Sequence, residues 1–263
     1  MRVGVDDRVA IVGGSSTGLG FAVAKHLAAH GASVLVVSRS SEHVSAAVAA
    51  IGELGAGAVE GCVADLTDPE APRRVVEAAR AAFGSPEIVV ANGGGPPGMP
   101  ATTATAEDLT SACELLLLPV QRLAELTMPA MRAAGWGRFV AITSIAVREP
   151  LQGLVLSNAL RAAVTGYLKS LSDEVAGDGV TVNTVCPGFT ATDRLGVLAK
   201  NIAEREGRTA EEIVASWAAQ APIGRLLQPE EVAAAVGFLC SESASGITGI
   251  ALPVDGGFGR SLI

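Results

Sequence analysis

Three glycines in the stretch GGSSTGLG, Gly14, Gly18 and Gly20, are separated by three residues and then by one. Glycine tolerates backbone angles and close approaches that other residues resist. The spacing therefore suits a tight turn that brings a phosphate near the main chain. If a helix follows the turn, its free N–H groups and its dipole favour the pyrophosphate of a dinucleotide. Ser16 and Leu19 lie in the same turn and join the expected cofactor contacts. A second feature ends the stretch VVSRS. Ser38 stands where a site for an unphosphorylated ribose usually carries an acid, and Arg39 follows it. An acid repels a 2′-phosphate, whereas an arginine can pair with one through two parallel hydrogen bonds. These residues predict NADP(H) in preference to NAD(H). Asp65 is placed to accept from the adenine amine. Asn92, Gly93 and Gly94 close an apolar run where the backbone must pass close to ribose and adenine.

The elements that position these residues follow from hydrophobic periodicity. Short β-branched runs such as RVAIVGG, ASVLVVS, EIVVANGGG, GRFVAITS and GVTVNTVCPG alternate with alanine-rich amphipathic segments. Continuously apolar strands alternating with helices predict an α/β fold, a Rossmann-type doubly wound parallel sheet in a single domain spanning 1–263. A long helix is expected after the fourth strand, opened by Thr105 with Asp108 three residues on, close to a capping box. A second long helix is expected across SNALRAAVTGYLKSLSDEVAG. The polar, partly helical region at about 189–228 reads as a lid or substrate-loop insertion.

Composition narrows the partners. The chain has 263 residues, of which 49% are hydrophobic, and a net charge of −8. That charge argues against nucleic acid and anionic membrane. The uncharged run at 88–106 is broken by Gly and Pro, so it does not read as a membrane span. The N-terminus carries acids where a signal peptide needs an apolar stretch. The four cysteines are far apart and match no metal spacing, so free thiols in a cytoplasmic setting are expected. His26 and His30 stand one helical turn apart, but no carboxylate or cysteine accompanies them. A helix surface is the reading there, and no metal is expected.

Together, GGSSTGLG, ANGGG, ITS, CPGFTAT and PVDGG resemble, in order, the short-chain dehydrogenase/reductase family, particularly its 3-oxoacyl thioester reductases. The resemblance runs from about Arg8 to Gly257. It implies that Pro187, Gly188, Thr190 and Thr192 hold the nicotinamide carboxamide region. It also implies a homotetramer, or at least a dimer, packed through the two long helices, whose apolar runs Leu115–Leu118 and Ala162–Leu168 fit that expectation. The family's catalytic set is Asn, Ser, Tyr and Lys. Carried over by position, Ser144 matches the serine. Ser157 stands for the tyrosine, Arg161 for the lysine and Leu116 for the asparagine. The chain thus resembles an atypical subgroup that lacks the Tyr-x-x-x-Lys pair.

The consequences for chemistry follow from side-chain acidity. A serine hydroxyl is far less acidic than a phenol and a ring shorter, so Ser157 cannot inherit the role of general acid. Arg161 keeps a permanent charge and a rigid fork, one helical turn from Ser157. It can hold a diol, a carboxylate or a phosphate, or stabilise an oxyanion without giving up a proton. Tyr167 lies about 15 Å along the helix from Ser157, which is too far to substitute. Arg148 and Glu149, on the loop after Ser144, are candidates to bind an anionic substrate and to act as an acid. Three readings stay open. The first is an NADP(H)-dependent oxidoreductase acting on a small-molecule or acyl-thioester substrate through a site rebuilt around Ser144, Ser157, Arg148, Glu149 and Arg161. The second is a non-catalytic dinucleotide sensor or assembly protein. The third is a non-redox enzyme on the same fold.

Overall fold

The structure is a computed structural model that describes residues 4–260. Seven parallel strands lie in the order β3-β2-β1-β4-β5-β6-β7. They are β1 (Val9–Val12), β2 (Ser33–Ser38), β3 (Val59–Val63), β4 (Ile88–Ala91), β5 (Gly137–Ile142), β6 (Val180–Pro187) and β7 (Ala251–Val254). From β1 the chain first winds outward to β2 and β3, then returns past β1 to β4 and continues the other way. The reversal leaves a crevice above the carboxyl ends of β1 and β4, where doubly wound sheets bind ligands.

Helices cover both faces. On one side α1 (Gly18–Ala29), α2 (Ser41–Gly52) and α9 (Pro229–Cys240) enclose a core that includes Val23, Leu27, Ile51 and Val236. On the other, α3 (Ala71–Ala82), α5 (Leu118–Ala134) and α6 (Val155–Val175) pack through residues such as Val75, Leu123, Met131 and Leu168. The central strands β1, β4, β5 and β6 are buried along their whole length, as their apolar sequences require. The edge strand β3 differs. It is half open to solvent, and this accommodates Glu60 within a strand.

The helix expected after β4 is two helices, α4 (Ala106–Leu116) and α5. Pro119, in the first turn of α5, has no N–H to continue the ladder of α4, so the chain breaks at Leu117 and restarts. The start of α4 is a full capping box. The Asp108 N–H donates to Thr105 Oγ1 at 3.2 Å, and the Thr105 N–H donates back to Asp108 Oδ2 at 2.9 Å. The apolar runs at 115–118 and 162–168 serve largely the packing of the chain itself: Leu116, Val164 and Leu168 are all buried within it. The expectation of an assembly therefore draws no support from them.

Within 189–228 the chain forms α7 (Asp193–Glu206) and α8 (Ala210–Gln220). They carry a small core of their own, built on Ala199, Ala203, Ile213 and Trp217. Phe189 stacks on Trp217 at 4.9 Å and ties this unit to the end of β6. Among the described residues no helix is long and apolar enough to cross a membrane. None of their His, Cys, Asp and Glu side chains gather in a group of three that could hold a metal.

Candidate active site

The turn after β1 is built as its glycine spacing predicts. Gly14 and Gly18 have φ of 53° and 57°, a region that side chains resist. A Cβ on Gly20 would stand 2.2 Å from the Gly14 carbonyl oxygen, so α1 can meet the turn only with glycine there. Asn92 locks the arrangement from β4: its Nδ2 donates to the carbonyls of Gly13 at 3.1 Å and Gly14 at 3.3 Å. Fully buried Ser15 stitches β1 to β2, donating to the Val12 carbonyl and accepting from the Val37 N–H. Thr17, the N-cap of α1, makes no side-chain bond to the first turn. The amino end of the helix is thus left open towards the cleft, with a shape and polarity that suit an anion.

The cleft has a volume of about 610 Å³, within the usual range for small-molecule sites. Gly14, Ser16, Gly18, Leu19, Arg39, Asp65, Asn92, Gly93, Pro187, Gly188, Thr190 and Thr192 all line it. At its β2 end Ser16 donates to Ser38, Oγ to Oγ, at 2.8 Å. Arg39 lies 3.8 Å from Asp65, and both are well exposed. So loose an exposed pair contributes little and can yield to a better anion. Asp65 Oδ1 already accepts from the backbone and the hydroxyl of Thr67.

At the other end the cleft reaches the carboxyl ends of β5 and β6. Ser144 lines it and caps a short 3-10 turn, accepting from the Ala146 N–H at 3.1 Å. That bond uses an oxygen lone pair and leaves the hydroxyl proton free to donate. Arg161 reaches the cleft floor from α6. Its Nη1 donates to the carbonyls of Ile142 at 3.1 Å and Thr143 at 3.0 Å, and its Nη2 to the carbonyl of Gly94 at 3.3 Å. Its Nε donates to Ser157 Oγ at 3.2 Å. Ser157 therefore orients Arg161 and is not itself part of the cleft lining. Burial pushes the Arg161 pKa down to about 10, and repulsion from Arg194 adds to the effect. The group still carries its charge at neutral pH.

Several expected residues stand elsewhere. Arg148 and Glu149 do not line the cleft. Arg148 Nη2 donates to the Ala251 carbonyl on β7 at 2.9 Å, and Glu149 Oε2 accepts from the Arg260 N–H at 3.4 Å. The loop that carries them turns towards β7 and the C-terminal segment, away from the floor where Ser144 and Arg161 lie. Tyr167 packs against the core beneath α6, and burial raises its pKa. Leu116 lines the cleft and belongs to an apolar cluster with Ala112, Leu156 and Leu160.

The fold and this cleft have counterparts among known proteins. The family model described as enoyl-(acyl carrier protein) reductase matches residues 14–259. The chain belongs to the short-chain dehydrogenase/reductase family. Among known short-chain reductases, it is 35% identical over 252 residues to 3-oxoacyl-(acyl-carrier-protein) reductase FabG of Escherichia coli (strain K12), covering 96% of this chain and 97% of that one. Among solved short-chain reductases, L-sorbose reductase from Gluconobacter frateurii, complexed with NADPH and L-sorbose, superposes with a TM-score of 0.94. It is 34% identical, with full coverage of both chains. A variant actinorhodin polyketide ketoreductase with NADPH superposes with a TM-score of 0.91 at 30% identity, over 97% of this chain and 98% of that one.

Sequence reasoning missed Arg194. This residue of α7 lines the same cleft as Arg161. A Cβ on Gly95 would lie 2.1 Å from Arg194 Nη2, so the guanidinium rests directly on that glycine. The third glycine of ANGGG was the signal that could have found it. A run that long exceeds what a dinucleotide turn alone needs, and it marks a close approach by something else.

Proposed function

We propose that this chain is an NADP(H)-dependent oxidoreductase that interconverts a carbonyl and an alcohol by stabilising charge on the substrate oxygen, with no side chain as general acid. The observation that carries this reading is Arg161. It is held by three main-chain carbonyls at the floor of the cleft, beside the segment that presents Ser144. A dinucleotide fits the residues at the other end. The glycine cradle leaves no room for a Cβ at Gly13 or Gly20 and holds Gly14 and Gly18 at positive φ, and the amino end of α1 is uncapped by its own N-cap side chain. Gly14, Ser16, Gly18 and Leu19 would take the pyrophosphate side, Arg39 the 2′-phosphate, and Pro187, Gly188, Thr190 and Thr192 the carboxamide side. When bound, the cofactor supplies or accepts the hydride.

The chain's own residues do the rest. The Ser144 hydroxyl donates to the substrate oxygen. Arg161 adds a fixed positive charge beneath it, already oriented by Ser157 and by strand-end carbonyls. A charge that needs no reorientation is worth most where negative charge develops. The proton that completes the alcohol comes from water. Leu116 places no polar group on its wall, and Ser157 lies off the cleft lining and carries only a weakly acidic hydroxyl, so neither supplies it. The α7–α8 unit, with its own small core, serves as a lid over the substrate half of the cleft.

NADPH binding together with slow turnover of generic 3-oxoacyl thioesters and simple ketones is the expected behaviour. The triple variant Ser157→Tyr, Arg161→Lys, Leu116→Asn should raise that turnover about 10²-fold, the usual worth of a positioned general acid. Brisk reduction of simple ketones by the parent would overturn the reading. An NADPH-binding parent inert to every oxo substrate would instead favour a dinucleotide sensor, an outcome to which the missing tyrosine lends weight.

A further inference from the structure

Two guanidiniums meet in the substrate half of the cleft without a counter-charge. Arg161 Nη2 donates to the Gly94 carbonyl, and Arg194 Nη2 rests against the next residue, Gly95. They come from unrelated elements, α6 in the body of the fold and α7 in the lid. Among the described residues no carboxylate comes within 4.0 Å of either. Burial lowers the Arg161 pKa, and the charge of Arg194 lowers it further. Arg194 itself is exposed, and partial burial of its guanidinium lowers its own pKa. The nearby thiol of Cys186 is buried with its pKa raised, so it stays neutral and offers no compensation. Two like charges lining one stretch of cleft, with no carboxylate in reach of either, make a place where an anion gains more than it would in open solvent.

The surroundings limit what that anion is. Leu151, Leu154, Val164, Phe189 and Leu198 also line the cleft and give an apolar wall. Arg161 is bonded to the carbonyl of Thr143, the residue before Ser144. An anion held by Arg161 therefore lies only a few bonds from an oxygen held by Ser144. A neutral thioester in that place would leave both cations unanswered.

We propose that Arg161 and Arg194 form an anion subsite that selects a short oxo acid with a free carboxylate, whose apolar remainder lies against the leucine wall. This deepens the carbonyl-reduction reading above and rests on it for the reacting carbonyl, but not for the anion. Gly95 is the positioning residue, since a Cβ there would push the end of the Arg194 side chain aside.

The test uses malonate, acetoacetate and methyl acetoacetate as probes. Calorimetric titration of malonate into the full chain without cofactor should show binding. Arg194→Met should weaken that binding tenfold or more, and Gly95→Ala, which keeps the charge but displaces it, should weaken it similarly. NADPH affinity should change less than threefold in both variants. With NADPH present, the parent should prefer acetoacetate to its methyl ester by about 10²-fold in kcat/KM, and Arg194→Met should bring that ratio near unity. Removing a charge-assisted hydrogen bond has effects on this scale. If Arg194→Met instead weakens NADPH and leaves malonate binding unchanged, the arginine belongs to the cofactor pyrophosphate and the proposal fails. If the parent does not bind malonate, or treats acid and ester alike, it fails as well. Weakened malonate binding in both variants of a chain with no detectable reductase activity would retain the anion subsite and reject the oxidoreductase reading.

Discussion

The two ends of the sheet each hold an arginine among main-chain carbonyls, and the chain treats them in opposite ways. At the amino end Arg138, on β5, is 1% exposed. Its donors reach the carbonyls of Ser241, Gly137 and Gly179, its Nη2 lies 3.7 Å from a Glu242 carboxylate oxygen, and its guanidinium stacks on Trp136 at 4.3 Å. Arg8 also stacks on the Trp136 ring, at 3.8 Å, and pairs with Glu87, while the Trp136 N–H donates to Glu242. At the carboxyl end Arg161 has carbonyl partners as well, but its charged neighbour is another arginine. A cation with acid and aromatic partners is part of the scaffold. A cation with no acid beside it is, on the reading proposed above, held in place for a charge that is still to arrive.

The largest contrast should come from removing each group. Arg161→Met should lower turnover of the native substrate by about 10²- to 10³-fold, in line with removal of a fixed donor at a developing oxyanion. The fold should tolerate it, because the three carbonyls that lose their donor belong to residues lining the open cleft, where water can replace it, and a charge that repels Arg194 goes as well. Arg138→Met should do the reverse. It takes the donor from the carbonyls of Ser241, Gly137 and Gly179 and one of its cationic neighbours from Glu242, and it should cost about 3 kcal/mol of stability, with unaltered kcat in the protein that remains folded. Denaturant titration and steady-state kinetics on both variants check the pair. A strongly destabilised Arg161→Met with normal turnover would dissolve the distinction between the two ends.

A smaller effect should come from Arg39, at the β2 end of the cleft. Its only charged neighbour within 4.0 Å among the described residues is Asp65, and that pair is exposed. Arg39→Ala should remove most of the preference for NADPH over NADH, about 1.5–3 kcal/mol for a charge-assisted hydrogen bond to the 2′-phosphate. Equal calorimetric affinities of the parent for the two nucleotides would show that Arg39 does not read the phosphate.

The scaffold end and the cofactor end differ from the substrate end in how far the sequence revealed them. The strands, the glycine cradle and the α4 capping box depend on local signals: apolar runs, glycine spacing, and Thr105 with Asp108. The split between α4 and α5 was also local, written in Pro119, but the apolar pattern across it masked the break. The substrate end was only half legible. Arg161 stood out by its position four residues after Ser157. Its bonds to Gly94, Ile142 and Thr143 join segments far apart in the chain, and no spacing rule reveals such bonds. Arg148 and Glu149 drew notice as charges after Ser144. The loop direction that takes them towards Ala251 and Arg260 is a tertiary property. Arg194 was hidden for the same reason, since nothing within α7 says that its side chain lies on Gly95.

The smallest expected effect concerns pH, and it sharpens the contrast because it should be nearly absent where a tyrosine acid would make it plain. Arg161 has a pKa of about 10 in the fold, below its ordinary value. A base with a depressed folded pKa binds its proton more tightly when unfolded. The resulting penalty to stability is fully present below about pH 10 and fades as pH rises from there towards the ordinary guanidinium value. Between about pH 6 and 9 Arg161 stays charged throughout, so neither its stability contribution nor its hold on an anion should change. In the carbonyl-reducing direction, kcat should therefore be flat to within about twofold over that range, because the proton comes from water and no side chain of the floor titrates there. Above about pH 9.5 malonate affinity should begin to fall as Arg161 starts to lose its charge. Stopped-flow measurement of the hydride-transfer step across the range, beside malonate titration at each pH, gives both quantities. A bell-shaped rate profile with a limb near about pH 7 would mean that a titrating acid does serve this site, and that the charge of Arg161 is an accessory to it.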